Sequence, residues 1–499
     1  MSRRAVVVGG GVSGMAAALV LARNGREVRL VERSARLGSL LRGFVRDGVR
    51  YDTGLHYTGY WGDGEPLDTF LRYLGMDRDM VRLPFDPAGC DRVLCGDADL
   101  AFDLPCGRER VEEAYAAAFP AERAAIRDLL ERVAAACAAS PLLNPEVRFT
   151  PEQFLDSAWR QGLGEVMDEL GLSPRLRTLL SIPCLRIGCE PADSLFADFA
   201  RVAGSFHASA HAADGGGEAL ARAFEAALDR EGVDVLLRAE AESLGLGADG
   251  VLREVRLADG RGLPADAVVY TGPPRALPAM LPQGALRPAY RKRLERLRDT
   301  PSAYMLFGQA DQRLDLLDRR NVILLPRSNG ERLFRRYAAG EDRPLFLSMD
   351  QSRERPGPRG VVALAAGDYS EVEAWADSSP GARPAAYREH KEAAARAIQA
   401  QVLAACPELA GKVRFTASAT PLTFAHRLGA PRGGLYGALH GVGQDSPLPV
   451  TRAPGLFLAG QAIVAPGLLG AMVSAFLACG FVLGHETLRQ GVAACRAAA

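Results

Sequence analysis

The chain has 499 residues, 48% of them hydrophobic, and its 60 basic residues are matched by 60 acidic ones. That length exceeds what one hydrophobic core organises, so two or three packed units are expected. The cancelled charge lacks the electrostatic footprint of a dedicated nucleic-acid binder, which sets nucleic acid aside as a partner.

Nine cysteines are scattered without a CxxC pair, and the closest grouping, Cys184 and Cys189, has the wrong spacing and no nearby histidine for zinc. Buried free thiols in a reducing cytoplasm are expected. The opening MSRRAVVVGGG meets glycines at once and carries no h-region with a small-residue cleavage site, so no export signal is read.

The first elements are the most informative. Ala5 to Val8 is a β-branched run, Gly9-x-Gly11-x-x-Gly14 follows, a helix-period stretch runs to Asn24, Gly25 stops it, and Glu27 to Val31 reads as the next strand. Gly9 makes the tight turn, Gly11 lets a pyrophosphate approach the backbone, and Gly14 lets helix and strand pack closely. The helix start, with Val12 and Ser13, offers free N–H groups and a positive dipole end to phosphates. Glu32, 18 residues beyond Gly14, ends the second strand, where a carboxylate accepts ribose hydroxyls and repels a 2′-phosphate. A second GxGxxG match, Gly245, Gly247 and Gly250, joins two strand-like segments, ESLGL and VLREVRL, and reads as a hairpin turn.

After Glu32 the chain continues ERSARLGSLLRGF, and with Arg33, Arg36 and Gly38 it resembles the FAD-binding amine oxidase and phytoene desaturase superfamily. That pattern has a basic residue and then Arg-x-Gly-Gly, and Ser39 stands at the second glycine. FVRDGVRYDTGLHYTGYWG, with Asp52, Gly54, Leu55, His56 and Tyr57, resembles the segment after the first FAD loop in the carotenoid isomerase and retinol saturase branch. ATPLTFAHRLGAPRGGLYGALHG and PGLFLAGQAIVAPGLLGAM resemble later motifs of the same branch, in the family order.

The resemblance implies an α/β fold: a Rossmann-like FAD-binding domain of glutathione-reductase type with an inserted α+β substrate domain and a helical lid. The cofactor domain would be discontinuous, from 1–75, 210–275 and 412–499. Residues 76–209, with 106–180 rich in Ala, Leu, Glu and Arg at helical period, would form a mostly helical lid, and 276–411 a substrate-domain sheet and helix. Within that last span SAYMLFGQ, NVILLP, PLFLSMD and GVVALAA read as strands, and residues 383–406 as a helix. FAD contacts are implied for Ala241, beside the adenine, and for Gly272 at the end of a further strand.

From Gly455 to Gly484 no residue is charged, and Leu468 to Gly484 is an apolar run of 17. A membrane span needs about 20 such residues. A short strand and a glycine- and proline-containing turn with Gly460 and Gln461 precede it, so strand, turn and helix are expected here too. The helix start, Leu468, Leu469 and Gly470, would face the flavin N1 and C2 carbonyl, where negative charge gathers on reduction. The related motif has Gly-Gln-Asp where this chain has Gly460-Gln461-Ala462, so one carboxylate near the ribityl chain is missing.

A flavin exchanges hydride with carbon, so the protein must place a C–H or C=C bond against N5 and exclude water. The resemblance places His56 beside the isoalloxazine, where it would exchange a proton or shape the pocket. Tyr57 would act there or form the pocket wall, and Arg432 would stabilise charge on the flavin or make a structural salt bridge. His207 and His211 have an HxxxH spacing without a partnering carboxylate pattern, and no metal is expected.

The resemblance implies an FAD-dependent oxidoreductase that desaturates, saturates or isomerises a hydrophobic polyene, isoprenoid, carotenoid or retinoid-like substrate. Peripheral membrane contact accompanies such a substrate. A flavin amine oxidase and a non-catalytic Rab-escort-like binding protein are the alternatives, and the intact Gly-rich loop with Glu32 favours a retained cofactor. The sequence carries no signal for oligomeric state.

Overall fold

The computed structural model describes residues 4–38, 40–96, 100–150, 160–327, 332–338, 340–353 and 357–497. Its first layer is a five-stranded parallel sheet. β1 (Arg4–Val8) lies at the centre, between β2 (Glu27–Glu32) and the strand Ala267–Tyr270. Asp234–Leu237 and Leu456–Leu458 form the edges. Buried strand residues such as Val6, Val7 and Leu30 give near-continuous apolar runs, as a parallel sheet covered on both faces requires.

Two apolar helices, α1 (Val12–Arg23) and the helix Gly467–Leu483, pack on this sheet and on each other. Their contact is rich in small residues, and Ser13 Oγ donates to the Ala471 carbonyl at 2.7 Å. The helix Gly467–Leu483 is apolar on all sides because it lies in the core, and no helix among the described residues is long and apolar enough to cross a membrane.

The second layer is a seven-stranded mixed sheet in the order 414–419, 302–310, 359–367, 345–349, 321–325, 91–95, 100–104. Pairing is antiparallel except between Asn321–Leu325 and Asp91–Cys95. Alternation divides the faces: Ile323 and Leu325 pack with the helices of the 108–208 region, whereas Val322 and Leu324 pack toward the long helix Ala385–Ala405.

One expectation is extended and one corrected. Segment 76–209 is mostly helical and also supplies the strands Arg82–Pro84, Asp91–Cys95 and Leu100–Leu104, the last two completing the substrate-domain sheet. These strands are too short for their period-2 signal to stand out beside long helical runs. Arg414–Ala419, assigned to the cofactor segment 412–499, instead pairs with Ser302–Ala310 at the sheet edge. The glycines of LGLGADGV do turn a hairpin, between Ala241–Leu246 and Leu252–Leu257.

Candidate active site

The Gly-rich turn is held from three sides. Gly9 has φ +107° and its N–H donates to the Val31 carbonyl at 2.8 Å. The Gly10 N–H donates to Glu32 Oε2 at 2.6 Å, and the Ser34 N–H to Glu32 Oε1 at 2.7 Å. Each Glu32 oxygen keeps a lone pair for a ribose hydroxyl. Gly11 caps α1 with no side-chain hydrogen bond, and a Cβ there would meet nothing within 4 Å. A Cβ on Gly14 would lie 1.7 Å from the Gly9 carbonyl oxygen. The turn therefore offers uncovered helix N–H groups and a cradle without side chains, the geometry a pyrophosphate takes.

Gly38 donates from its N–H to the Gly10 carbonyl at 2.7 Å, so the second segment of the cofactor motif supports the first. Arg36 points outward instead: it pairs with Glu218 at 2.7 Å, its side chain is 59% exposed, and it does not line the cavity. The expected contact from Arg36 to the cofactor is thereby corrected to a surface ion pair. Ser39 lies outside the described residues.

A cavity of about 1010 Å³ opens from this turn. Its wall includes Gly9, Gly11, Val12, Ser13, Glu32, Arg33, Gly38, Gly54, Leu55, His56, Tyr57, Ala241, Gly272, Gly460, Gln461, Leu468, Leu469 and Gly470, so residues far apart in sequence surround one space. The helix Gly467–Leu483 presents its uncapped N-terminus there. Gly460, at φ +128°, donates its N–H to Ser474 Oγ at 2.9 Å, and the Gln461 carbonyl meets His440 Nε2 at 2.7 Å. The methyl of Ala462 is buried where the related motif has a carboxylate.

Beyond the cofactor turns the cavity is walled by Ile182, Leu185, Phe206, Ile323, Phe346 and Tyr436. His56 lies 5.5 Å from the Phe346 ring, and its Nε2 is buried without a partner among the described residues. Burial lowers its pKa to about 4, so the ring is neutral near pH 7. Tyr57 stacks on Phe346 at 5.7 Å and donates its hydroxyl hydrogen to Asp91 Oδ2 at 2.8 Å.

Arg186 donates to the same Tyr57 oxygen at 2.7 and 3.1 Å and to Asp91, and lies over the Phe206 ring at 4.0 Å. Asn321 Nδ2 donates to Asp91 Oδ1 at 3.0 Å. Burial opposes the charge on Arg186, but Tyr57 and Asp91 outweigh it and hold its pKa above the ordinary value. Burial likewise raises the pKa of Tyr57, so it remains a neutral phenol. Asp91, Arg186 and Asn321 carried no local motif, because they meet only through tertiary folding: Asp91 stands 95 residues from Arg186 and 230 from Asn321.

Of the two roles expected for Arg432 the structure shows the salt bridge, and the catalytic role at the flavin is corrected. Arg432 pairs with Glu373 at 2.6 Å, lies over the Tyr369 ring, is half exposed, and does not line the cavity. Its φ of +49° turns the side chain out of a tight Pro431–Gly433 turn, a geometry no sequence pattern specified. His207 ends a helix and His211 lies in the strand Ala210–Ala213, so the pair does not share a helix face.

Residues 12–482 match the family model described as flavin containing amine oxidoreductase. The chain belongs to that family. It is 27% identical to the human all-trans-retinol 13,14-reductase, over 96% of this chain and 85% of the relative, and 25% identical to the Danio rerio protein of the same name, over 97% and 86%. An oxidoreductase from Methanosarcina mazei superposes with a TM-score of 0.67 at 13% identity, covering 95% of this chain and 98% of that one. A double mutant of putrescine oxidase gives 0.64 at 15% identity, covering 98% and 99%. The protein is an FAD-dependent oxidoreductase with a Rossmann-like cofactor fold, and the Gly-rich turn and the uncapped helix ends around the cavity fit FAD.

Proposed function

We propose that the protein transfers hydride to or from a C–C or C=C bond of a hydrophobic polyene of the retinoid or isoprenoid class. The cavity carries this reading: it runs from the cofactor turns into an apolar and aromatic chamber that suits a long unsaturated chain. The retinol 13,14-reductase relatives support the same substrate class. When bound, FAD supplies the hydride acceptor or donor.

The chain's own residues then have three tasks. Ile182, Leu185, Ile323 and Phe346 hold the apolar substrate and exclude water. His56, neutral above about pH 4, has a ring nitrogen free to accept a hydrogen bond or the proton released when a C–H bond is oxidised. Tyr57 is a positioning residue: its hydrogen is committed to Asp91 and its oxygen to Arg186, which fixes the ring against Phe346.

An amine oxidase reading is weaker because the carboxylates on the cavity wall among the described residues, Glu32 and Glu240, lie at the cofactor turns, while Arg186, Arg201 and Arg275 are paired with Asp91, Asp198 and Asp299 and the rest of the chamber is apolar and aromatic. An ammonium substrate would find no free counter-charge in that chamber. The nine cysteines, all free, support a reducing compartment such as the cytoplasm. The test is anaerobic: reduce the flavin of the purified holoprotein, add retinoids, other polyenes and amines, and follow flavin reoxidation with mass analysis of products. Reoxidation by amines alone would overturn the proposal.

A further inference from the structure

The outer side of one cavity wall carries two features with no role in the cofactor site. The helix Pro288–Glu295 and its flanks place Arg287, Arg291, Lys292, Arg293, Arg296 and Arg298 on the surface, against Glu295 alone, while Leu294 and Leu297 are buried. Asp299 turns inward to Arg275 at 3.1 Å. Beside this basic strip, Val442, Leu448 and Val450 are 44%, 46% and 37% exposed, so three of the seven large exposed hydrophobics among the described residues fall within nine positions.

The apolar loop is fixed to the basic strip. Arg293 donates to the Ser446 carbonyl at 2.9 Å, Arg298 Nη2 to the Val442 carbonyl at 3.3 Å, and the Arg298 N–H to Gln444 Oε1 at 2.7 Å. Pro447 and Pro449 stiffen the chain around Leu448. The loop's acid, Asp445, is paired with Arg160 at 2.5 Å.

We propose that the face formed by residues 287–298 and 441–452 docks the protein on an anionic lipid bilayer, with the arginines and Lys292 at the headgroups and Val442, Leu448 and Val450 inserted between them. Charge complementarity selects an anionic surface, and exposed apolar side chains fixed among the bases select lipid over nucleic acid, which would leave them in water. Neither feature suffices alone, because stable interfacial binding combines apolar burial with electrostatic attraction.

The position ties docking to the proposed activity, on which this inference rests for its purpose. Arg275 lines the cavity and pairs with Asp299 at the end of the strip. The Tyr436 N–H donates to Thr300 Oγ1 at 2.9 Å, and Tyr436 is also cavity wall. Ser446 Oγ meets His440 Nδ1 at 2.7 Å, and His440 Nε2 meets the carbonyl of Gln461 in the cofactor turn. A bilayer on this face lies against the wall of the chamber that receives an apolar substrate.

The test is flotation of the full-length holoprotein with phosphatidylcholine vesicles, with and without phosphatidylserine, with heparin as a lipid-free polyanion. Binding to the phosphatidylserine vesicles is expected, weakening with salt. Each basic residue near such a surface contributes about fivefold in affinity, so R287E/K292E/R296E is expected to lose at least about a hundredfold. V442S/L448S is expected to lose several-fold on vesicles and nothing on heparin, while both variants keep their flavin. No binding to anionic vesicles, unchanged binding by the charge-reversed variant, or equal vesicle and heparin binding by V442S/L448S would each overturn the proposal, the last by showing a polyanion site. Vesicle binding is read without turnover, so it can fail or succeed independently of the polyene assay.

Discussion

Replacing Asp91 by Asn tests whether the Tyr57, Asp91 and Arg186 cluster is a charged network that fixes the chamber wall. Asp91 is fully buried and the Arg186 side chain is 14% exposed. In D91N a nitrogen replaces one carboxylate oxygen, the buried guanidinium loses its counter-charge, and the Tyr57 hydroxyl competes for fewer acceptors. Removing one partner of a buried pair costs about 3 to 5 kcal/mol. With about 2.1 cal/mol/K of unfolding entropy per residue, the 499-residue chain changes stability by about 1 kcal/mol per kelvin near its midpoint, so Tm falls by about 3 to 5 °C. If the inserted region unfolds separately, its transition moves further. R186M strands the carboxylate and is expected to cost a similar amount, whereas D91N/R186M removes both charges and is less destabilised than the sum of the single variants. Thermal melts of the four holoproteins by circular dichroism measure this. A D91N midpoint within a degree of the parent, or strict additivity in the cycle, would refute a charged network.

Three further outcomes follow from the geometry. In G14A the new Cβ meets the Gly9 carbonyl oxygen at 1.7 Å, and backbone on both sides must move; a cost of about 1 to 3 kcal/mol and purification with less than stoichiometric flavin are expected, read from the visible-to-ultraviolet absorbance ratio. R432A removes a half-exposed pair with Glu373 worth at most about 1 kcal/mol, and the rate of flavin reduction or reoxidation with substrate is expected to match the parent in stopped flow. Burial lowers the pKa of His56, His207 and His211 from the ordinary 6.5 to about 4, so between these values the unfolded chain binds protons that the folded chain does not. Their contribution is complete above about pH 6.5 and is lost as pH falls toward 4. Tm measured across this range is expected to decline, and less steeply in H56Q.

The cofactor half of the site was legible because its physics is local. Gly9, Gly11 and Gly14 act through backbone geometry within one turn, and Glu32 lies one strand away in an adjacent parallel register, Val8 opposite Val31. The strand, turn and helix around Gly460 repeat that logic, although the sequence could not show that Ser474 satisfies the Gly460 N–H. The substrate half was less legible because its polar network is assembled by sheet register. Asp91 meets Asn321 only because Asp91–Cys95 pairs in parallel with Asn321–Leu325, and Arg186 reaches Asp91 and Tyr57 from a six-residue helix. Arg36 and Arg432 have motif positions beside the cofactor yet found carboxylates at the surface, and spacing alone does not encode where a long cationic side chain turns.

The uncharged C-terminal stretch shows the same distinction. Its helix, Gly467–Leu483, is apolar on every side, which suits either lipid or a protein core. Small residues decide between them. Ala475 and Ala478 are fully buried, as are Ala16, Ala17 and Ala18 of α1, and the two helices approach closely enough for Cys479 Sγ to reach the Ala17 carbonyl at 3.6 Å. Gly470 permits contact with the preceding turn, where a Cβ would lie 2.3 Å from the Ala465 carbonyl oxygen. Burial of this helix from Gly470 to Gly480 therefore assembles the cofactor site, and only its ends are partly exposed. The membrane contact we propose uses a surface with the opposite composition, the basic strip and its apolar loop, where charge would bring the protein to the headgroups and a few fixed side chains would enter them.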